Sequence, residues 1–128
     1  MAEAYTIERV DGITVVSCHE TPTFENTTEV IDRMARDRTY HLRLWDFSDV
    51  LFGWSETDVR RIAAYGKTKF PEKNRIAVVA PQDLAYGVLR EFEVYREQED
   101  DAHSLVRAFR TKPEALEWLE SHRAALGL

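Results

Sequence analysis

Four carboxylates fall close together near the middle of the chain: Asp46, Asp49, Glu56 and Asp58. Gathered at one strand end, such a set could hold a hard cation such as Mg²⁺, which takes oxygen ligands. Each also has a plainer use. Glu56 and Asp58 suit the positive end of a helix, and Asp46 and Asp49 can cap loop amides. Ser55 stands where a helix cap belongs, and its hydroxyl is expected to accept the backbone N–H of Thr57 or Asp58. Cys18 is the only cysteine, which excludes an intramolecular disulfide and any site built on several thiolates. His19 is no partner for it, because adjacent strand residues point to opposite faces. Cys18 therefore reads as a buried thiol. His41, His103 and His122 lack metal-ligand spacing such as His-Glu-x-x-His. With no glycine-rich phosphate loop, nucleophile elbow or Ser/His/Asp constellation, the residues assign no catalytic group, no metal and no cofactor.

The loop Leu51-Phe52-Gly53-Trp54 places three large apolar side chains within four residues. Either they fold back onto the core or they form an exposed adhesive patch. Gly53 permits a sharp change of direction, so Trp54 is expected to stay substantially exposed in the monomer. Tyr86-Gly87 is a second oddity, because glycine inside a helix costs about 1 kcal/mol relative to alanine. Close approach of a backbone or ligand, or tight packing, would account for it.

The elements that position these groups follow from periodicity. Tyr5 to Val10 and Ile13 to His19 flank Asp11-Gly12, a strong signal for a hairpin with a type I′ turn. Pro22 ends the second strand. Phe24, Thr27, Ile31, Met34 and Ala35 recur at helical spacing, which predicts a helix from Asn26 to Arg38, with Asn26 and Glu29 spaced as a capping box. A strand over His41–Asp46 follows. The next helix starts at Ser55, buries Val59, Ile62, Ala63 and Gly66, carries its stripe on to Phe70 and stops at Pro71. Asn74 to Ala80 has the continuous apolar run of a strand buried on both faces. A third helix starts near Gln82, with Leu84, Ala85, Val88, Leu89, Phe92 and Tyr95 on its buried side, and breaks at the acidic run Glu97–Asp101. His103 to Phe109 is the last strand. Thr111 and Glu114 then form a capping box for a helix that buries Ala115, Leu116, Trp118 and Leu119.

The order β-β-α-β-α-β-α-β-α predicts an α/β domain over residues 1–128: an antiparallel N-terminal hairpin, then parallel strands joined by right-handed crossovers, with helices on the sheet faces. A formal charge of −6 argues against nucleic acid as the main partner, because phosphate binding depends on Lys and Arg. The N-terminal residues lack the basic and apolar regions of a signal peptide, and no run is long enough to span a bilayer. A reduced, cytoplasmic setting is expected.

The segment from Leu42 to Leu119 resembles the SpoIIAA-like proteins, relatives of the STAS domains of anti-sigma-factor antagonists. The matching pieces are Trp45-Asp46-Phe47-Ser48, the strand Ile76 to Pro81, Asp83-Leu-Ala-Tyr86-Gly87 with Arg90 and Phe92, Val106-Arg-Ala-Phe109, and Glu114-Ala-Leu-Glu-Trp118-Leu119. The resemblance implies a non-catalytic regulatory domain that binds a protein partner or itself through the helix following the central strand. In signalling relatives that helix starts with Asp-Ser-Ser-Gly and its second serine is phosphorylated. Here Trp54-Ser55-Glu56-Thr57 takes that place, so the phosphoserine motif is not intact and only Ser55 remains as a candidate acceptor. The residues assigned to partner or ligand binding are Phe52, Trp54, Ser55, Glu56, Tyr86 and Arg90. The alternative is a carrier of a small apolar ligand or lipid, of related CRAL-TRIO-like fold, with Trp45, Phe52, Trp54, Tyr86 and Phe92 lining a pocket.

Overall fold

The computed structural model describes residues 4–37, 41–51, 54–70, 73–99 and 104–126. Five strands form one mixed sheet: β1 (Tyr5–Val10), β2 (Ile13–Cys18), β3 (Leu42–Asp46), β4 (Asn74–Val79) and β5 (Ser104–Phe109). Between and after them lie α1 (Phe24–Arg36), α2 (Glu56–Lys69), α3 (Asp83–Glu99) and α4 (Lys112–Arg123). Only β1 and β2 pair antiparallel. They turn at Asp11 (φ 51°) and Gly12 (φ 80°), the left-handed pair that a type I′ turn demands.

The strands lie side by side in chain order, β1-β2-β3-β4-β5. That order has a consequence for the helices. Right-handed crossovers that always step in the same direction put every crossover helix on the same face. The core divides accordingly. Val30, Ile31 and Met34 of α1, Val59, Ile62 and Ala63 of α2, and Ala85, Leu89 and Phe92 of α3 pack with Val16, Trp45, Ile76, Val78 and Val106. Ala115 and Leu119 of α4 pack with Ile13, Val15, Leu42, Leu44, Ala77 and Val79 on the opposite face. The middle strands are thus buried on both sides, as the unbroken apolar run of β4 required.

Several boundaries differ from the sequence expectation. Helix α1 begins one turn's fraction earlier, because its capping box is Thr23 with Asn26. The Thr23 hydroxyl accepts the Asn26 N–H at 3.1 Å and the Asn26 amide oxygen accepts the Thr23 N–H at 2.8 Å. Helix α3 runs on through Glu99, across the start of the predicted acidic break. At α4 the Thr111 hydroxyl donates to the Glu114 carboxylate at 2.7 Å and makes no cap bond to the backbone. Leu84, expected on the buried side of α3, is 77% exposed. It lies about 100° round the helix from Ala85, on the flank of the buried stripe. His103 lies outside the described residues.

Gly87 is exposed, and a Cβ built there would meet nothing within 4 Å. Neither close approach nor packing accounts for the glycine. Gly87→Ala should therefore stabilise the protein by about 0.5–1 kcal/mol. A rise in the urea midpoint at constant slope is the expected reading; a fall would mean that the backbone there needs glycine. No helix among the described residues is long and apolar enough to cross a membrane.

Candidate functional site

The chain leaves β3 into the segment that the sequence singled out. Asp46 holds the exit: its carboxylate accepts both the N–H (3.0 Å) and the hydroxyl (2.5 Å) of Ser48. This is the loop-capping use of an aspartate. Phe47 then turns back into the core at 1% exposure. Leu51 is 78% exposed, while Phe52 and Gly53 lie outside the described residues.

Trp54 departs from expectation. It is half-buried and packs against the main core. Its ring stands edge-on to Phe47, with centroids 5.7 Å apart, and tilted to Phe92 at 6.3 Å. Through Phe47 it joins a row of rings: Phe47 stacks on Trp45 at 6.1 Å, and Trp45 meets Tyr5 edge-on at 5.9 Å. The row runs beneath the three crossover helices from β1 to α3. A bulky ring at the foot of α2 gains more by completing this row than by facing water, since such pairs add about 0.5–1.5 kcal/mol beyond burial. The expected exposed anchor is therefore half-buried and packed against the core.

Ser55 behaves as expected. Its hydroxyl accepts the Asp58 N–H at 3.1 Å, and the Asp58 carboxylate accepts the Ser55 N–H at 3.3 Å, closing a reciprocal capping box. A phosphate on Ser55 would displace this cap and stand beside the carboxylates of Asp58 and Glu56, an arrangement that like-charge repulsion opposes. Ser55→Ala should cost about 1 kcal/mol of stability, read as a lower denaturant midpoint; an unchanged midpoint would show that the cap carries no weight.

The remaining candidates do not converge. Glu56 accepts from Arg60 and from the Tyr95 hydroxyl, both at 2.9 Å, bracing α2 against α3. Tyr86 is half-buried beneath the Arg110 guanidinium, 4.3 Å from the ring centroid. Arg90 is exposed on α3 and reaches Glu93 at 3.8 Å. Among the described residues, no group of three or more His, Cys, Asp or Glu side chains gathers to hold a metal ion. Cys18 is buried and donates to the Glu20 carbonyl at 2.9 Å, while His19 turns to the Thr6 hydroxyl. Burial pushes the Cys18 thiol upward, away from thiolate reactivity.

Two charged residues of consequence escaped the sequence reading. Arg43, in the middle of β3, is 1% exposed and stacks on Phe70, 3.6 Å from the ring centroid. Glu93 is 5% exposed on α3, and its carboxylate accepts the Ala108 N–H of β5 at 2.9 Å. A charge inside a strand flanked by leucines, and one beside Leu89 and Phe92, were the visible signals. Arg43, Trp45, Phe47, Trp54, Phe70 and Phe92 help to line a small pocket of about 30 Å³. That is room for about two water molecules. Of the residues proposed to line a ligand pocket, Trp45, Trp54 and Phe92 meet here, and Tyr86 does not.

Two loops do come together. The Gln82 side chain donates to the Ser48 carbonyl at 3.5 Å, tying the loop after β3 to the loop after β4. Leu51 and Leu84 belong to these neighbouring segments on one rim of the sheet, each more than three-quarters exposed. Compared with known proteins, the chain matches no family model and no curated protein.

Proposed function

We propose that this chain is a non-catalytic interaction domain of STAS-like, SpoIIAA-like kind that binds a protein partner at the rim of its sheet. The single observation that carries this reading is the pair Leu51 and Leu84, 78% and 77% exposed on adjoining segments at the strand exits. Leu51 on the loop after β3 and Leu84 in the first turn of α3, brought near each other by the Gln82–Ser48 contact, are large aliphatic side chains left in water, the kind of surface that a partner covers. The element order, antiparallel hairpin then parallel strands with interleaved helices, is the order the family resemblance implies. Ser55 enters this reading as a helix cap at the rim, and the phospho-switch of signalling relatives has no intact motif here.

The cavity size weighs against the carrier alternative. The apolar pocket that holds Trp45, Trp54 and Phe92 is about 30 Å³, far below the roughly 300 Å³ of a small-molecule site, and the larger groove beside β1 is lined by Asn26, Glu29 and Arg33 as well as by apolar groups.

A photo-crosslinking amino acid placed at Leu51 or Leu84 tests the proposal in cells. A discrete protein adduct is expected from both positions, lost when the other leucine is changed to glutamate. Labelling no different from that at an exposed control position, such as Glu117, would overturn it.

A further inference from the structure

The sheet has two edges, and they are finished differently. At β5 the buried Glu93 carboxylate occupies the outward N–H of Ala108, with Arg107 3.9 Å away. A strand cannot add where a side chain already fills the ladder. At β1 no further strand lies alongside among the described residues, and exposure rises from Tyr5 at 6% to Val10 at 49%. The His19 N–H bonds to the Ala4 carbonyl at 2.8 Å, so with the register Tyr5↔Cys18 the residues facing β2 are Ala4, Thr6, Glu8 and Val10. Tyr5, Ile7 and Arg9 therefore turn their N–H and C=O groups away from the sheet. No partner meets those groups among the described residues.

A groove of about 250 Å³ lies beside this edge, between Ala4 and Tyr5 on one wall and Asn26, Glu29, Val30 and Arg33 on the other. The second set is one face of α1, at helical spacing. The Tyr5 hydroxyl meets Asn26 and Thr27 at 3.3 and 3.1 Å, which levels the first turn of α1 with Tyr5. Because α1 returns antiparallel to β2, it runs in the direction of β1. Ile7 is about 6.6 Å beyond Tyr5, and the same advance on a helix takes about four residues. Ile7 is thus level with the Val30–Ile31 turn.

We propose that a second copy of this chain docks on this edge, β1 against β1 in antiparallel register about Ile7, to give a continuous sheet across a two-fold axis. A closed two-fold interface must be complementary to itself, and this edge is. With Ile7 opposite Ile7, Tyr5 faces the partner's Arg9, and Thr6 faces the partner's Glu8. The outward groups of Tyr5, Ile7 and Arg9 then exchange about six backbone hydrogen bonds. On α1, an axis level with Ile31 sets Glu29 against the partner's Arg33, and Arg33 against the partner's Glu29. Sliding the register by two residues places Glu8 against Glu8, which like-charge repulsion disfavours. Sliding it the other way places Thr6 against Thr6 and moves the axis on α1 by about two residues, from Ile31 to Glu29, which brings Glu29 toward the partner's Glu29. The Ile7-centred register is the one of the three that sets Glu29 against Arg33. This surface is separate from the rim of Leu51 and Leu84, and the two proposals stand or fall independently.

Light scattering coupled to sizing, across a concentration series of the full chain, reads the outcome. The wild type should show twice the mass of one chain, and amide exchange at Tyr5, Ile7 and Arg9 should slow as the dimer forms. Glu29→Arg should weaken the dimer roughly tenfold or more by opposing the partner's Arg33, and Arg33→Glu should do the same. The two changes combined should restore it. Arg9→Pro removes one outward N–H without touching the β1–β2 ladder, and should also weaken dimerisation. Thermal unfolding of each variant separates this from loss of fold. Wild type that stays monomeric throughout, including one whose open edge takes up a peptide of another protein, overturns the proposal. So does a dimer that ignores the charge changes or is broken by Leu51→Glu with Leu84→Glu.

Discussion

Trp54→Ala is expected to lower unfolding stability by about 3 kcal/mol while leaving association unchanged. Removal of a buried aromatic side chain costs about 3–5 kcal/mol, made up of lost transfer energy and the void left behind. Trp54 is half-buried, which sets the lower end. It is also a link in the aromatic row, with the Phe47 and Phe92 centroids 5.7 and 6.3 Å from its own, and the pocket it helps to line would grow. Trp54→Phe should recover a good part of the loss, because a smaller ring can still meet Phe47. Urea unfolding of the two variants beside the wild type, with slopes compared, makes the measurement. A loss below about 1 kcal/mol for the alanine variant would mean that Trp54 is a surface group.

Glu93→Ala should cost about 2–3 kcal/mol. A hydrogen bond to a charged acceptor contributes about 1.5–3 kcal/mol, and removing the acceptor strands the donor it served. Here the donor is the Ala108 N–H on the outer side of β5. Arg90 and Arg107, at 3.8 and 3.9 Å, lose their counter-charge as well. Both are about half exposed, so that part of the loss is small. Glu93→Gln keeps an acceptor of similar shape and should lose only about 1 kcal/mol. The alanine variant also reopens the β5 edge, and a concentration-dependent rise in apparent size is expected with it. Equal stability of the two variants would show that the hydrogen bond to Ala108 has no weight.

Much of the architecture is written locally in the sequence. Asp11-Gly12 specified its own turn, because positive φ at both central residues is a local steric matter. The capping box of Ser55 and Asp58 was legible for the same reason: donor and acceptor are three residues apart. The helix of Thr23 was read at the wrong residue, since Asn26 can serve either as a cap or as the third residue of a box, and only the packed helix chooses. Burial was followed well where a stripe repeats, as in Val59, Ile62, Ala63 and Gly66, and poorly at the stripe's margin, as at Leu84.

The kind and order of the elements are local properties of the chain, because helix period, strand alternation and turn chemistry act over a few residues. How the elements share space is set by contacts between distant parts of the chain. The strands never reverse their order, so the sheet lacks the switch-point crevice in which open α/β proteins bind ligands, and β1 and β5 become edges with opposite fates. Trp54 turned inward because Phe47 and Phe92, from other parts of the chain, were there to meet it. Glu93 found a strand's N–H, and Arg43 found the ring of Phe70. Each of these depends on residues brought together from distant positions, and spacing along a chain carries no record of them.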